Sequence, residues 1–125
     1  MINILVVDDD PMNLKMAEFI LKQKEYYRVK LAKNGREALA ILGEDPTIDL
    51  VLLDIEMPYP NGFETLQLIR DNPATLFLKV VFLTASSGAE DVQKAAELGA
   101  VGYVKKPFMP QDLLEHVEKA LVADF

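Results

Sequence analysis

A doubly wound α/β fold with a five-stranded parallel sheet is what this sequence predicts, and two features predict it. The runs Ile4-Leu5-Val6-Val7, Leu50-Val51-Leu52-Leu53 and Val80-Val81-Phe82-Leu83 are apolar without polar alternation, as strands buried on both faces are. Strand-like segments also alternate five times with capped segments carrying apolar residues at helical spacing. Alternation with short connections implies parallel strands, right-handed crossovers and helices on both faces. The 125 residues suffice for one core and not for two, so the expected organisation is a single domain over 1–125.

The first strand, Ile4–Val7, ends abruptly in Asp8-Asp9-Asp10-Pro11. Asp10 followed by Pro11 reads as an N-cap and a first-turn proline, with Leu14, Ala17, Ile20 and Leu21 as the apolar stripe of the helix they open. Arg28–Ala32 alternates and predicts a more exposed strand. Asn34-Gly35-Arg36-Glu37 resembles a capping box for a helix running to Leu42 and stopped by Gly43. Leu50–Leu53 ends on a second acid, Asp54. Asn61-Gly62-Phe63-Glu64 caps a third helix through about Arg70, with Pro73 beyond it. Val80–Leu83 ends on Thr84, and Ser87-Gly88-Ala89-Glu90 offers a further capping box for a helix closed by Gly99. Val101–Val104 is the fifth strand, ending on Lys105-Lys106-Pro107. After Pro110, the residues Leu113, Leu114, Val117 and Leu121 mark the last amphipathic helix.

Composition narrows the function classes. Half the residues are apolar and about a quarter charged, the balance of a soluble globular chain. With no cysteine there is no disulfide framework or thiolate metal site, and a single histidine, His116, excludes a histidine-rich one and reads as a helix-surface residue. A net charge of −7 opposes binding to phosphate backbones or anionic lipid, so neither nucleic acid nor membrane is expected as a direct partner. No apolar run reaches membrane-spanning length and Met1-Ile2-Asn3-Ile4 lacks a signal peptide's basic segment, so a cytoplasmic protein is expected.

In an open parallel sheet, ligands bind outside the carboxyl ends of the strands. Those ends here carry Asp8 and Asp9, Asp54, Thr84 and Lys106. Two carboxylates about 5 Å apart repel by roughly 3 kcal/mol at an effective dielectric of ~20, so three on one edge call for a cation. An all-oxygen set suits a hard ion such as Mg²⁺, which takes one or two carboxylates and keeps room for water and phosphate oxygens. Lys106 and Thr84 add a point charge and a hydroxyl donor suited to a phosphoryl group. The chemistry that fits is attack of a carboxylate on phosphorus to give an aspartyl phosphate. Asp10 is better used as a cap, and Asp54, alone after the most apolar strand and before a loop ending in Pro58, has the more accessible position for a nucleophile.

Val7-Asp8-Asp9, Asp54-Ile55-Glu56-Met57-Pro58 with Asn61-Gly62, Thr84-Ala85 and Lys106-Pro107-Phe108, in that order and each at a strand end, resemble the receiver domain of two-component response regulators over essentially the whole chain. The resemblance implies a flavodoxin-like sheet in the order 2-1-3-4-5. It also implies Asp54 as phosphoacceptor. Mg²⁺ would be held by Asp8, Asp9, Asp54 and the backbone carbonyl of Glu56. Thr84 and Lys106 would meet the phosphoryl group, Lys106–Pro107 would be cis, and Tyr103 would turn inward as Thr84 moves. Implied partners are a sensor histidine kinase or phosphotransfer protein, and an output domain or downstream protein on the face of the fourth helix, fifth strand and fifth helix. The implied role is regulatory rather than that of a turnover enzyme, with weak self-catalysed phosphorylation and dephosphorylation.

Plainer readings exist for the same residues. Strand-end acids serve as helix caps, Thr84 suits a strand as a β-branched residue, Lys106 suits a surface, and a half-buried Tyr103 needs no switching role. The Glu56 side chain is expected to influence dephosphorylation, with a sign the sequence does not give. Pro60 departs from the usual residue before Asn61-Gly62 and is expected to stiffen that loop. The competing class is a small Mg²⁺-dependent phosphotransferase of the haloacid dehalogenase type, because Asp8-Asp9-Asp10 satisfies an Asp-x-Asp pattern; the chain is short for such a core and its cap. A chain stopping four residues after Leu121 also fits a regulator whose output domain has been trimmed away.

Overall fold

The computed structural model describes residues 1–85 and 88–123. Five strands alternate with five helices: β1 (Ile2–Val7), α1 (Pro11–Leu21), β2 (Tyr27–Ala32), α2 (Gly35–Glu44), β3 (Leu50–Asp54), α3 (Gly62–Asp71), β4 (Lys79–Thr84), α4 (Ala89–Glu97), β5 (Gly102–Lys105) and α5 (Pro110–Val122). The strands form one sheet in the order β2-β1-β3-β4-β5. Every pairing is parallel, with Val7 beside Leu53, Asp54 beside Leu83 and Thr84 beside Lys105. β1 and β3, whose ends carry the acids, are therefore neighbours.

Successive strand side chains point to opposite faces, so a strand covered on both sides is apolar throughout. Ile4, Val6, Leu50, Leu52, Val81 and Leu83 join one core with α1 and α5. Leu5, Val7, Val51, Leu53, Val80 and Phe82 join the other, against α2, α3 and α4. The edge strand β2 is half exposed, as its alternating sequence requires.

Helix starts follow the local chemistry. Asp10 accepts a hydrogen bond from the Met12 N–H, with Pro11 in the first turn. Asn61 and Glu64 form a complete capping box at α3. At α2 the box is only half made: Asn34 caps the Glu37 N–H, but the Glu37 carboxylate reaches back to Lys33. Gly43 does not stop this helix, which continues to Glu44 with Asp45 as its C-cap; a glycine costs a helix about 1 kcal/mol and does not by itself break it. Gly99, at φ 79°, does close the turn after α4, in the left-handed region that glycine adopts without strain. The expected Ser87 cap lies outside the described residues, and Gly88 is the N-cap of α4, with no side-chain cap bond.

Candidate phosphoryl and metal site

The carboxyl ends of β1, β3, β4 and β5 bring Asp8, Asp54, Thr84 and Lys106 together. Asp8, Asp54 and Thr84 are buried, at 0%, 1% and 0% exposure, while Asp9 stands exposed at the rim. One carboxylate oxygen from each of Asp8, Asp9 and Asp54 lies within 4.8 Å of the others. Lys106 Nζ sits 2.8 Å from Asp8 Oδ2 and 3.0 Å from Asp54 Oδ1, its side chain only 14% exposed. Asp8 Oδ1 accepts from the Asp10 N–H at 2.9 Å. Asp8 Oδ2 is buried, with the Lys106 ammonium as its only neighbour of opposite charge among the described residues.

The electrostatics follow from one ammonium facing several acids. Burial pushes the Asp54 carboxyl up, Asp8 adds to the rise, and the Lys106 hydrogen bond opposes it without cancelling it; the result is about 7. Burial would lower Lys106, but its bonds to Asp8 and Asp54 outweigh that and hold it above the ordinary lysine value. A crowded, oxygen-only cluster of three carboxylates with a single ammonium beside it fits a hard divalent cation. The carboxylates of Asp8, Asp9 and Asp54 are the groups that fit it.

Two features here have no counterpart in motif spacing. The Glu56 side chain turns back into the site, and Thr84 Oγ1 donates to its Oε1 at 2.6 Å. Burial would raise Glu56, but the hydrogen bond it accepts from Thr84 and its close interaction with Asp54 prevail and hold it below the usual carboxylate range. Tyr103 is half-buried against the second core and hydrogen-bonded with Thr84; burial is the first cause of its raised pKa. Lys106–Pro107 is cis, as expected, and so is Tyr59–Pro60.

Gly62 explains the Asn61-Gly62 pair. A Cβ there would press on the Asp54 carbonyl oxygen and stand 2.6 Å from Ile55 Cα, and the Gly62 N–H already bonds the Ile55 carbonyl at 3.0 Å. Gly62→Ala is expected to cost about 2 kcal/mol by overpacking against backbone and to displace the Asp54 loop. A chemical-denaturation midpoint equal to wild type would contradict this.

Comparisons with known proteins coincide with this geometry. The model of the response regulator receiver domain matches residues 4–118. A probable cyclic di-GMP phosphodiesterase of Vibrio cholerae is 51% identical over 83% of this chain and 23% of its own length. The response regulator PleD of Caulobacter vibrioides is 39% identical over 83% of this chain and 22% of its own. Among solved structures, the V. cholerae chemotaxis protein CheY4 superposes with a TM-score of 0.90 at 32% identity, covering 97% of this chain and 99% of that one. The non-phosphorylated HemR receiver domain of Leptospira biflexa gives 0.87 at 32% identity, over 100% and 98%. The chain spans about a quarter to a half of the curated relatives it matches. Nothing in these matches supports the haloacid dehalogenase alternative. With the sheet order, the acidic edge and the matched residues all in agreement, the chain belongs to the response regulator receiver family, whose domains are phosphorylation-activated signalling switches.

Proposed function

We propose that this chain acts as a single receiver unit over residues 1–125, accepting a phosphoryl group on Asp54 from a phosphohistidine of a sensor histidine kinase or phosphotransfer protein. The observation carrying this reading is the Asp54 carboxylate in contact with Lys106, at 3.0 Å, inside an acidic cluster at the sheet edge. An Asp54 oxygen attacks phosphorus, forming the P–O bond as the P–N bond breaks, and the departing imidazole keeps the bonding pair and takes up a proton. Lys106 supplies a fixed positive charge for the phosphoryl oxygens in transit, and the Thr84 hydroxyl supplies a donor. Asp8, Asp9, Asp54 and the Glu56 backbone carbonyl would hold Mg²⁺, which when bound offsets the charge of the carboxylates and the phosphoryl oxygens.

The response is carried by Thr84, Tyr103 and the face of α4, β5 and α5, where an output domain or downstream protein docks. Helix α4 suits a moving part because Ala95 is its one buried residue, whereas α3 buries five. The role is regulatory, with slow self-catalysed gain and loss of the phosphoryl group. No described helix is long and apolar enough to cross a membrane; a cytoplasmic location is part of this proposal, as is the absence of direct contact with nucleic acid.

Incubation with acetyl phosphate and Mg²⁺ tests the chemistry. The expected result is a single phosphoryl group per chain by intact mass, absent in Asp54→Asn. Continuous phosphate release lost in Asp8→Asn with no stable adduct would instead indicate a turnover phosphotransferase. Mg²⁺ alone at ten times its dissociation constant is expected to raise the melting temperature by about 4 °C, as RT ln 11 is about 1.4 kcal/mol. An unmoved melting curve at millimolar Mg²⁺ contradicts the metal site.

A further inference from the structure

We infer that the Glu56 carboxylate is a built-in restraint on the switch, holding the Thr84 hydroxyl in the resting site so that an incoming phosphoryl group must compete with it for one donor. This rests on Asp54 as the phosphoacceptor. A threonine hydroxyl has a single proton to donate. In this structure it goes to Glu56 Oε1 at 2.6 Å, a short bond to a charged acceptor of the stronger kind. Thr84 is fully buried, so its hydroxyl has no easy exchange with solvent. Glu56 is exposed and has water to choose from, yet its side chain turns inward, its own N–H resting 3.3 Å from Asp54 Oδ1.

The restraint is also connected to the far side of the site. Tyr103 is hydrogen-bonded with Thr84 and packs half-buried against the second core. A chain of contacts thus runs from the loop after β3, through the end of β4, to β5. A phosphoryl group on Asp54 offers Thr84 a second anionic acceptor, and the gain from that bond is reduced by the bond to Glu56 that must be given up. Glu56 is therefore a positioning residue acting through Thr84, and it makes the resting state harder to leave.

The test is a double-mutant cycle read by calorimetric binding of beryllofluoride, a phosphoryl analogue, in Mg²⁺. Glu56→Ala is expected to bind on the order of tenfold tighter than wild type, a difference of about 1.4 kcal/mol. In the Thr84→Val background the same substitution should change binding less than twofold, and Thr84→Ser should restore the effect. A tenfold gain persisting in Thr84→Val would mean that Glu56 acts by charge repulsion alone, and would overturn the restraint. So would unchanged or weaker binding in the single variant. If Thr84→Val fails to fold, Thr84→Ala takes its place in the cycle. The Thr84 γ-methyl NMR resonance of the ligand-free protein needs neither metal nor analogue. It should shift in Glu56→Ala and not in Glu64→Ala, and an unmoved resonance overturns the bond. Wild type with no affinity for beryllofluoride would instead overturn the phosphoacceptor reading beneath it.

Discussion

In EDTA at pH 7.5, Asp54→Asn melts above wild type, by about 5–10 °C. The Asp54 carboxyl is buried at the end of β3, beside Asp8, and its folded pKa is pushed up to about 7 by burial first and Asp8 next, against the pull of Lys106. An acid whose folded pKa is raised is stabilised in its protonated form. Its contribution is complete below the unfolded value near 3.9 and is lost as pH rises through about 7. Metal-free wild type should therefore lose stability between about pH 4 and pH 7. The rise to about 7 corresponds to at most about 4 kcal/mol, and about 2–3 kcal/mol is expected after local relaxation. An amide has no such ionisation, so the gap between variant and wild type opens over that window and is small at pH 4. An Asn variant less stable than wild type at pH 7.5 without metal would contradict the crowding of charge around Asp54.

Lys106→Ala is the opposite experiment. It removes the ammonium that lies 2.8 Å from Asp8 and 3.0 Å from Asp54, leaving two buried carboxylates facing one another. Breaking a buried ion pair by deleting one partner costs about 3–5 kcal/mol, because the remaining charge is uncompensated. At pH 7.5 in EDTA a loss of about 3 kcal/mol, or about 10 °C, is expected. The Asp54 carboxyl, already pushed up to about 7, escapes the cost by taking up a proton, so the loss should shrink toward pH 4. Millimolar Mg²⁺ should recover much of the loss at pH 7.5, as a cation restored to the acidic cluster. Equal losses at pH 4 and pH 7.5, measured by thermal melts, would mean that the lysine contributes through its packed methylenes rather than through charge.

These expectations divide between local and long-range information. The strand runs at Ile4–Val7, Leu50–Leu53 and Val80–Leu83 are legible because burial on two faces leaves no polar position in the pattern. The caps at Asp10 and Asn61 are legible because capping partners lie two or three residues away. Gly43 was not legible as an interior helix residue. Whether a glycine ends a helix depends on the backbone beyond it, and here Asp45 closes the last turn instead. The sheet order came from the family resemblance, since periodicity alone does not distinguish one order of parallel strands from another.

The candidate site divides in the same way. Asp8, Asp54, Thr84 and Lys106 could be found because each stands at a strand end, and parallel strands share one carboxyl edge. Nothing in the spacing of Glu56 and Thr84, 28 positions apart, says that one side chain turns back to accept the other's hydroxyl. Nor does the Asn61-Gly62 pair reveal that its glycine lies against the Asp54 and Ile55 backbone.

By itself, then, the sequence determined the element types, the two-sided burial of the central strands and the acidic, cysteine-free set of groups at the strand ends. These follow from residue periodicity and from contacts a few positions apart. The tertiary structure alone decided which ends abut, that Lys106 bridges Asp8 and Asp54, and that Glu56 rather than solvent accepts the Thr84 hydrogen bond. Those outcomes depend on side-chain rotamers selected by packing between segments far apart in the chain, which no local pattern encodes.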